Sequence, residues 1–145
     1  MFKSSILAAS TATLILAAAG AFAAPLDEAR THFQAIGSGD LPVVMRGYAD
    51  QAQLNWIGGP LDGTYTTSES IRGVWMKLAQ SQGPLKVSID KLEESANPKG
   101  STVSANVQFE GKAPIKVRYV LTFREGKIVN ETWQIDPKLV VATGY

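Results

Sequence analysis

Residues 115–135 read IKVRYVLTFREGKIVNETWQI. Ile115, Val117, Tyr119, Leu121 and Phe123 alternate with polar residues, and after Glu125-Gly126 the sequence takes up alternation again through Val129, Trp133 and Ile135. That is the period of half-buried strands. One charged residue, Glu131, falls in the apolar register. Outward from this stretch, TVSANVQFE at 102–110 and LKVSID at 85–90 alternate in the same way. Asn97-Pro98-Lys99-Gly100, Gly111-Lys112 and Glu125-Gly126 supply turn chemistry between the runs. Connections this short imply antiparallel neighbours. The result is a curved sheet with one apolar face.

The register of the last hairpin decides where Glu131 points. A strict two-residue turn pairs odd positions with even ones and puts the apolar side chains of the two strands on opposite faces. One bulged residue, with Gly126 in the left-handed conformation, pairs Phe123 with Lys127, Leu121 with Val129, Tyr119 with Glu131 and Val117 with Trp133. The apolar faces then agree. Glu131 turns inward beside Tyr119 and Trp133, and Ile128 is left exposed or at an edge.

Upstream, Leu26, Ala29, Phe33 and Ile36 have helical spacing after Pro25, and this first helix ends at Gly37-Ser38-Gly39. Pro42 marks a second, shorter helix running towards Asp50. Gln51–Ile57 alternates as a strand stopped by Gly58-Gly59-Pro60, and LDGTY at 61–65 reads as a loop. Thr66-Thr67-Ser68-Glu69 has the form of a capping box, and Ile71, Val74, Trp75 and Leu78 form the apolar stripe of a third helix ended by Gly83-Pro84.

Residues 1–23 read as a signal peptide. Lys3 precedes an apolar run from Ile6 to Ala19 that is too short and alanine-rich for a membrane span, and Ala21-Phe22-Ala23 has the small-x-small form of a cleavage site. Cleavage after Ala23 is expected, with export to the periplasm of a Gram-negative bacterium or secretion otherwise, and no stable membrane insertion of the mature chain. Residues 24–145, roughly 120, suit one domain. The chain has no cysteine, which excludes disulfides, thiol catalysis and thiolate metal sites. With 14 Lys plus Arg against 13 Asp plus Glu and no long block of either sign, nucleic acid is not an expected partner.

The order of elements resembles the nuclear transport factor 2-like superfamily, particularly its SnoaL-like and ketosteroid-isomerase-like members. The residues that carry the resemblance are YADQAQLNWIGGPLDGTY at 48–65, the following helix from Ser68, and FREGKIVNETWQIDP at 123–137. It covers nearly all of residues 24–145. The resemblance implies an α+β fold: a cone-shaped barrel made of a strongly curved, mostly antiparallel sheet wrapped on three N-terminal helices, with an apolar pocket at the open end. Where the ketosteroid-isomerase-like branch carries a catalytic aspartate, this chain offers Asn55 and Trp56, and neither abstracts a proton at neutral pH.

The candidate catalytic residues are Glu131, Tyr119 and His32. A carboxylate inside an apolar cone loses hydration, which favours its protonated form unless a cation or several donors reach it. Glu131 is then a candidate general acid or base with Tyr119 or Tyr48 as donors, or else a structural group that bonds a neighbour while the pocket merely binds. His32, the only histidine, borders the apolar stripe of the first helix and either faces Glu131 or lies half-exposed. Phe33, Tyr48, Trp56, Trp75, Tyr119 and Trp133 are the candidate lining for a small apolar or aromatic ligand. No metal-ligand spacing and no cofactor motif is seen; Gly58-Gly59-Pro60 lacks the strand-to-helix context of a phosphate loop. Lys116, Arg118, Thr122 and Arg124, with Ser104, Asn106 and Gln108, make the other sheet face polar, a surface for a homodimer. Three functions stay open: ligand binding, lyase, isomerase or cyclase chemistry through Glu131, and protein interaction through the outer face or the tail 139–145.

Overall fold

A computed structural model describes residues 24–142; the expected export segment, 1–23, and the tail residues 143–145 lie outside them. Helix α1 (Pro25–Ser38) has proline in its first turn, Asp27 and Glu28 where they complement the dipole, and Gly39 as a left-handed C-terminal cap. Helix α2 (Leu41–Arg46) is capped by Asp40, whose carboxylate accepts from the Val43 amide at 3.3 Å. It stops at Arg46, short of the expected Asp50, because the chain enters strand β1 (Tyr48–Ile57) at once. Strand β2 (Gly63–Tyr65) lies in the stretch expected to be a loop. Only three residues long, it has too little alternation to be read as a strand.

Helix α3 (Ser68–Gln82) does start with reciprocal capping, but between Thr67 and Ser70 rather than Thr66 and Glu69. The serine hydroxyl takes the part assigned to the glutamate, one residue further on. Strands β3 (Lys86–Asn97), β4 (Gly100–Glu110), β5 (Pro114–Arg124) and β6 (Lys127–Ile135) follow as an antiparallel meander. The sheet order is β2-β1-β6-β5-β4-β3, and β1 joins β6 in parallel. The three helices pack on the apolar face, with Phe33, Ile71, Val74 and Trp75 buried against Leu54, Val107, Val117 and Trp133.

The β5–β6 register corrects the expected one. The turn keeps two residues, with Arg124 opposite Lys127 and both Glu125 and Gly126 at positive φ. The extra residue is Val129, because Phe123 pairs with Ile128 while Thr122 pairs with Asn130. This bulge switches the phase of β6, so that Ile128 faces inward before it and Glu131 after it. Ile128 is therefore buried, not exposed. Glu131 sits opposite Leu121 rather than Tyr119, which is opposite Trp133. Parity alone requires a bulge but does not say where in the strand it falls.

On the outer face Asn106 pairs with Arg118 and Gln108 with Lys116. Beyond β6 the tail is tied back to β3. Asp90 accepts from the Lys91 amide at 2.9 Å and, through its other oxygen, from the Ala142 amide at 3.0 Å. Lys91 has φ 52° and lies in a bulge that shifts β3 by one residue between Asp90 and Glu93.

Gly37 lies within α1 rather than beyond its end. Its carbonyl accepts from the Leu85 amide at 2.8 Å, and a Cβ there would stand 2.7 Å from the Leu85 carbonyl oxygen and 2.3 Å from Val87 Cγ2. Glycine permits this close contact between α1 and the start of β3. Gly37→Ala is expected to lower unfolding stability by about 1–3 kcal/mol, measured by urea denaturation. Unchanged stability would show that the two backbones do not approach so closely.

Candidate functional site

Glu131 has no solvent-accessible surface, and its carboxylate is met by donors from three other elements. Tyr119 of β5 donates its hydroxyl to Oε2 at 2.5 Å, and His32 Nε2 of α1 lies 2.7 Å from the same oxygen. Tyr48, the first residue of β1, donates to Oε1. Trp75 of α3 in turn donates its indole N–H to the Tyr48 oxygen at 2.8 Å. That bond occupies an acceptor position on Tyr48 and aims the phenol proton at Glu131. The donor set fits an ionised carboxylate, and it fixes the His32 proton on Nε2 whether the ring is neutral or cationic.

Each position has a local cause. Glu131 faces inward because of the Val129 bulge, and Tyr119 reaches it diagonally across the β5–β6 pair. His32 is 3% exposed on α1 beside Phe33. Tyr48 arrives through an irregular stretch of β1, where the pairing with β6 slips between Tyr48–Ile128 and Gln53–Asn130. It is half-buried, the member of the cluster with the most contact with solvent. Burial pushes the hydroxyl pKa of both tyrosines well above the ordinary value of 10.0, and the negative charge of Glu131 adds to the shift.

The aromatic residues named as ligand lining form a wall next to this cluster. Trp133 stacks on Trp56 with ring centroids 4.3 Å apart and on Phe109 at 4.9 Å, and Trp75 meets Trp133 edge-on at 5.5 Å. Phe33 packs on Tyr119 at 4.5 Å. A cavity between the helices, bordering Trp75 beside Val44 and Leu78, measures about 10 Å³, hardly room for one water. Two buried polar atoms in the same interior, His32 Nδ1 and Trp133 Nε1, have no partner among the described residues. Among the described residues no group of three or more His, Cys, Asp or Glu side chains could hold a metal ion. Asn55 lies outside this cluster, bonded to Gln53 and Asn130.

The alternation of β5 and β6 brings Glu131 and Tyr119 into view from sequence alone. The link from Trp75 through Tyr48 to Glu131 has no such signal, since it joins residues 27 and 83 positions apart.

No protein-family model and no curated protein sequence matches the chain. Solved structures do. A nuclear transport factor 2-like protein from Pseudomonas putida superposes with TM-score 0.65 at 16% identity, over 77% of this chain and 85% of its own. Another from Burkholderia pseudomallei gives 0.61 at 18%, over 77% and 89%. A Sinorhizobium meliloti protein provisionally named a polyketide cyclase gives 0.52 at 17%, over 74% and 94%. The chain therefore has the nuclear transport factor 2-like α+β cone fold, with six strands curved around three helices among the described residues.

Two outcomes are expected. Tyr119→Phe removes a donor from a buried carboxylate and lowers stability by about 1.5–3 kcal/mol in urea denaturation; a change below about 0.5 kcal/mol would show that the bond contributes little. Alkaline pH tests the phenols. Their raised native pKa values mean that above about pH 10 the folded state holds more protons than the unfolded one. Stability is fully present below that pH and falls as pH rises towards the native values. Phenolate absorbance of Tyr48 and Tyr119 should appear only with unfolding, and its appearance in the folded protein would contradict their burial.

Proposed function

We infer that the protein is a small-molecule-binding domain whose recognition element is the Glu131 cluster, entered past Tyr48. The observation that carries this reading is the buried carboxylate on an otherwise apolar sheet face, with His32 Nδ1 and Trp133 Nε1 unpaired in the same interior. Buried polar groups are nearly always partnered, and a ligand that bonds these atoms would satisfy them. Trp56, Trp75, Trp133 and Phe33 suit a compact apolar or aromatic body with one or two polar groups. Tyr48, the partly exposed member of the cluster, is the point at which a ligand would enter.

Binding is favoured over chemistry because Tyr48, Tyr119 and His32 occupy three of the roughly four acceptor positions of the carboxylate. A second reading, lyase, isomerase or cyclase chemistry, rests on the 2.7 Å contact between His32 and Glu131, which supplies a path for a proton. The Sinorhizobium protein's provisional name, polyketide cyclase, is in keeping with it. Both readings include export of residues 24–145 after cleavage at Ala23, for which the N-terminal sequence is the support. The polar outer face would serve for self-association.

Native mass spectrometry of the protein from cells is expected to show a non-covalently bound small molecule that is lost on denaturation. Glu131→Gln and Tyr48→Phe should each weaken its rebinding about tenfold or more, the loss expected for a hydrogen bond to a charged group. Turnover of the recovered molecule that vanishes in Glu131→Gln while affinity persists would favour the second reading. A ligand-free protein of discrete hetero-complex mass would overturn both in favour of protein interaction.

A further inference from the structure

At the end of the sheet that holds the hairpin turns at 98–99 and 125–126, one inward-facing row beyond Leu121 and Glu131, a groove of about 530 Å³ lies between those turns and the start of α1. Its floor is the inner sheet face. Ser101 pairs with Ala96 on one side and Phe123 on the other, and Glu94 pairs with Val103, so the β3 bulge at Lys91 brings Glu94 and Ala96 onto the face of Ser101 and Phe123. Ser101 is 8% exposed, and its hydroxyl has no hydrogen-bond partner among the described residues. A buried hydroxyl without a partner needs a reason. Pro25 closes one wall, and Glu94 and Glu125 line the groove from opposite sides. Among the described residues neither carboxylate is in an ion pair.

We propose that this groove binds a small organic ammonium ion, with Glu94 and Glu125 facing the cationic head, the Ser101 hydroxyl accepting one of its N–H groups, and Phe123, Ala96 and Pro25 receiving its apolar part. The start of α1 would by itself favour an anion, but Asp27 and Glu28 occupy its first turn and both their amides already bond to the Ala24 carbonyl. Among the described side chains Lys99 is the one cation lining the groove, against two carboxylates. The volume lies within the range of small-molecule sites. The site shares no residue with the Glu131 cluster and does not depend on the function proposed for it.

The test is a titration of the full chain, ¹⁵N-labelled, with n-butylammonium chloride, and with sodium butyrate and butanol as matched probes, followed by amide NMR. Butylammonium alone is expected to give saturable shifts at Ser101, Phe123 and Gly126. The double variant Glu94→Gln/Glu125→Gln should weaken binding at least tenfold with an unchanged Tm, since both side chains are exposed. Ser101→Ala should weaken it severalfold. Non-saturating shifts, an equal response to butyrate, or undiminished binding by the double variant would overturn the proposal.

Discussion

A carboxylate removed from water must be met by donors, or the fold that buries it is disfavoured by several kcal/mol. In this protein that requirement falls on Glu131, and α1, β1 and β5 each meet part of it with His32, Tyr48 and Tyr119. Trp75 adds α3 through Tyr48. Apolar packing alone leaves helices some freedom to slide and rotate on a sheet, because one hydrophobic contact replaces another at little cost. Hydrogen bonds to a single buried group leave much less. The cluster therefore sets the relative positions of α1, α3, β1, β5 and β6, and the aromatic wall of Trp56, Trp133 and Phe109 fills the space those positions define.

The same cluster separates what sequence periodicity can and cannot reveal. Inward orientation of Glu131 is legible because the strand period is two and the apolar faces of β5 and β6 must agree. The cross-strand partner is not legible, since a bulge at Val129 and a bulge at the turn satisfy the same parity. Ile128 was the residue that distinguished them, and it is buried. Thr67 and Ser70 illustrate a similar limit: a glutamate near a helix start suggests one capping pair, while the backbone selects another one position along. Strand β2 escapes because three residues carry too little pattern. Ser101 escapes for a different reason. It sits in the apolar register of β4 as a small polar residue, and only the three-dimensional ends of β3 and α1 reveal that nothing answers its hydroxyl.

Fold and function part company at this level of likeness. Structures at 16–18% identity share the cone, and in this chain Asn55 of β1 is turned to the polar network of Gln53 and Asn130. Side chains, not the scaffold, carry the chemistry. The carboxylate this chain buries lies on β6, so the functional reading has to start from Glu131 and the residues that reach it.

The parallel pairing of β1 with β6 has a consequence for how the chain acquires its structure. Leu54 lies beside Glu131, and Trp56 beside Trp133, contacts between parts of the sequence separated by nearly the whole meander. Such contacts carry a large loop-closure entropy and tend to form late. As the ribosome delivers the chain, α1, α2, β1 and α3 emerge without the strand that supplies their common anchor, and Tyr48 and His32 wait for a carboxylate not yet synthesised. Completion of the interior thus waits for the synthesis of β6, and until that strand is made the packing that depends on Glu131 cannot form.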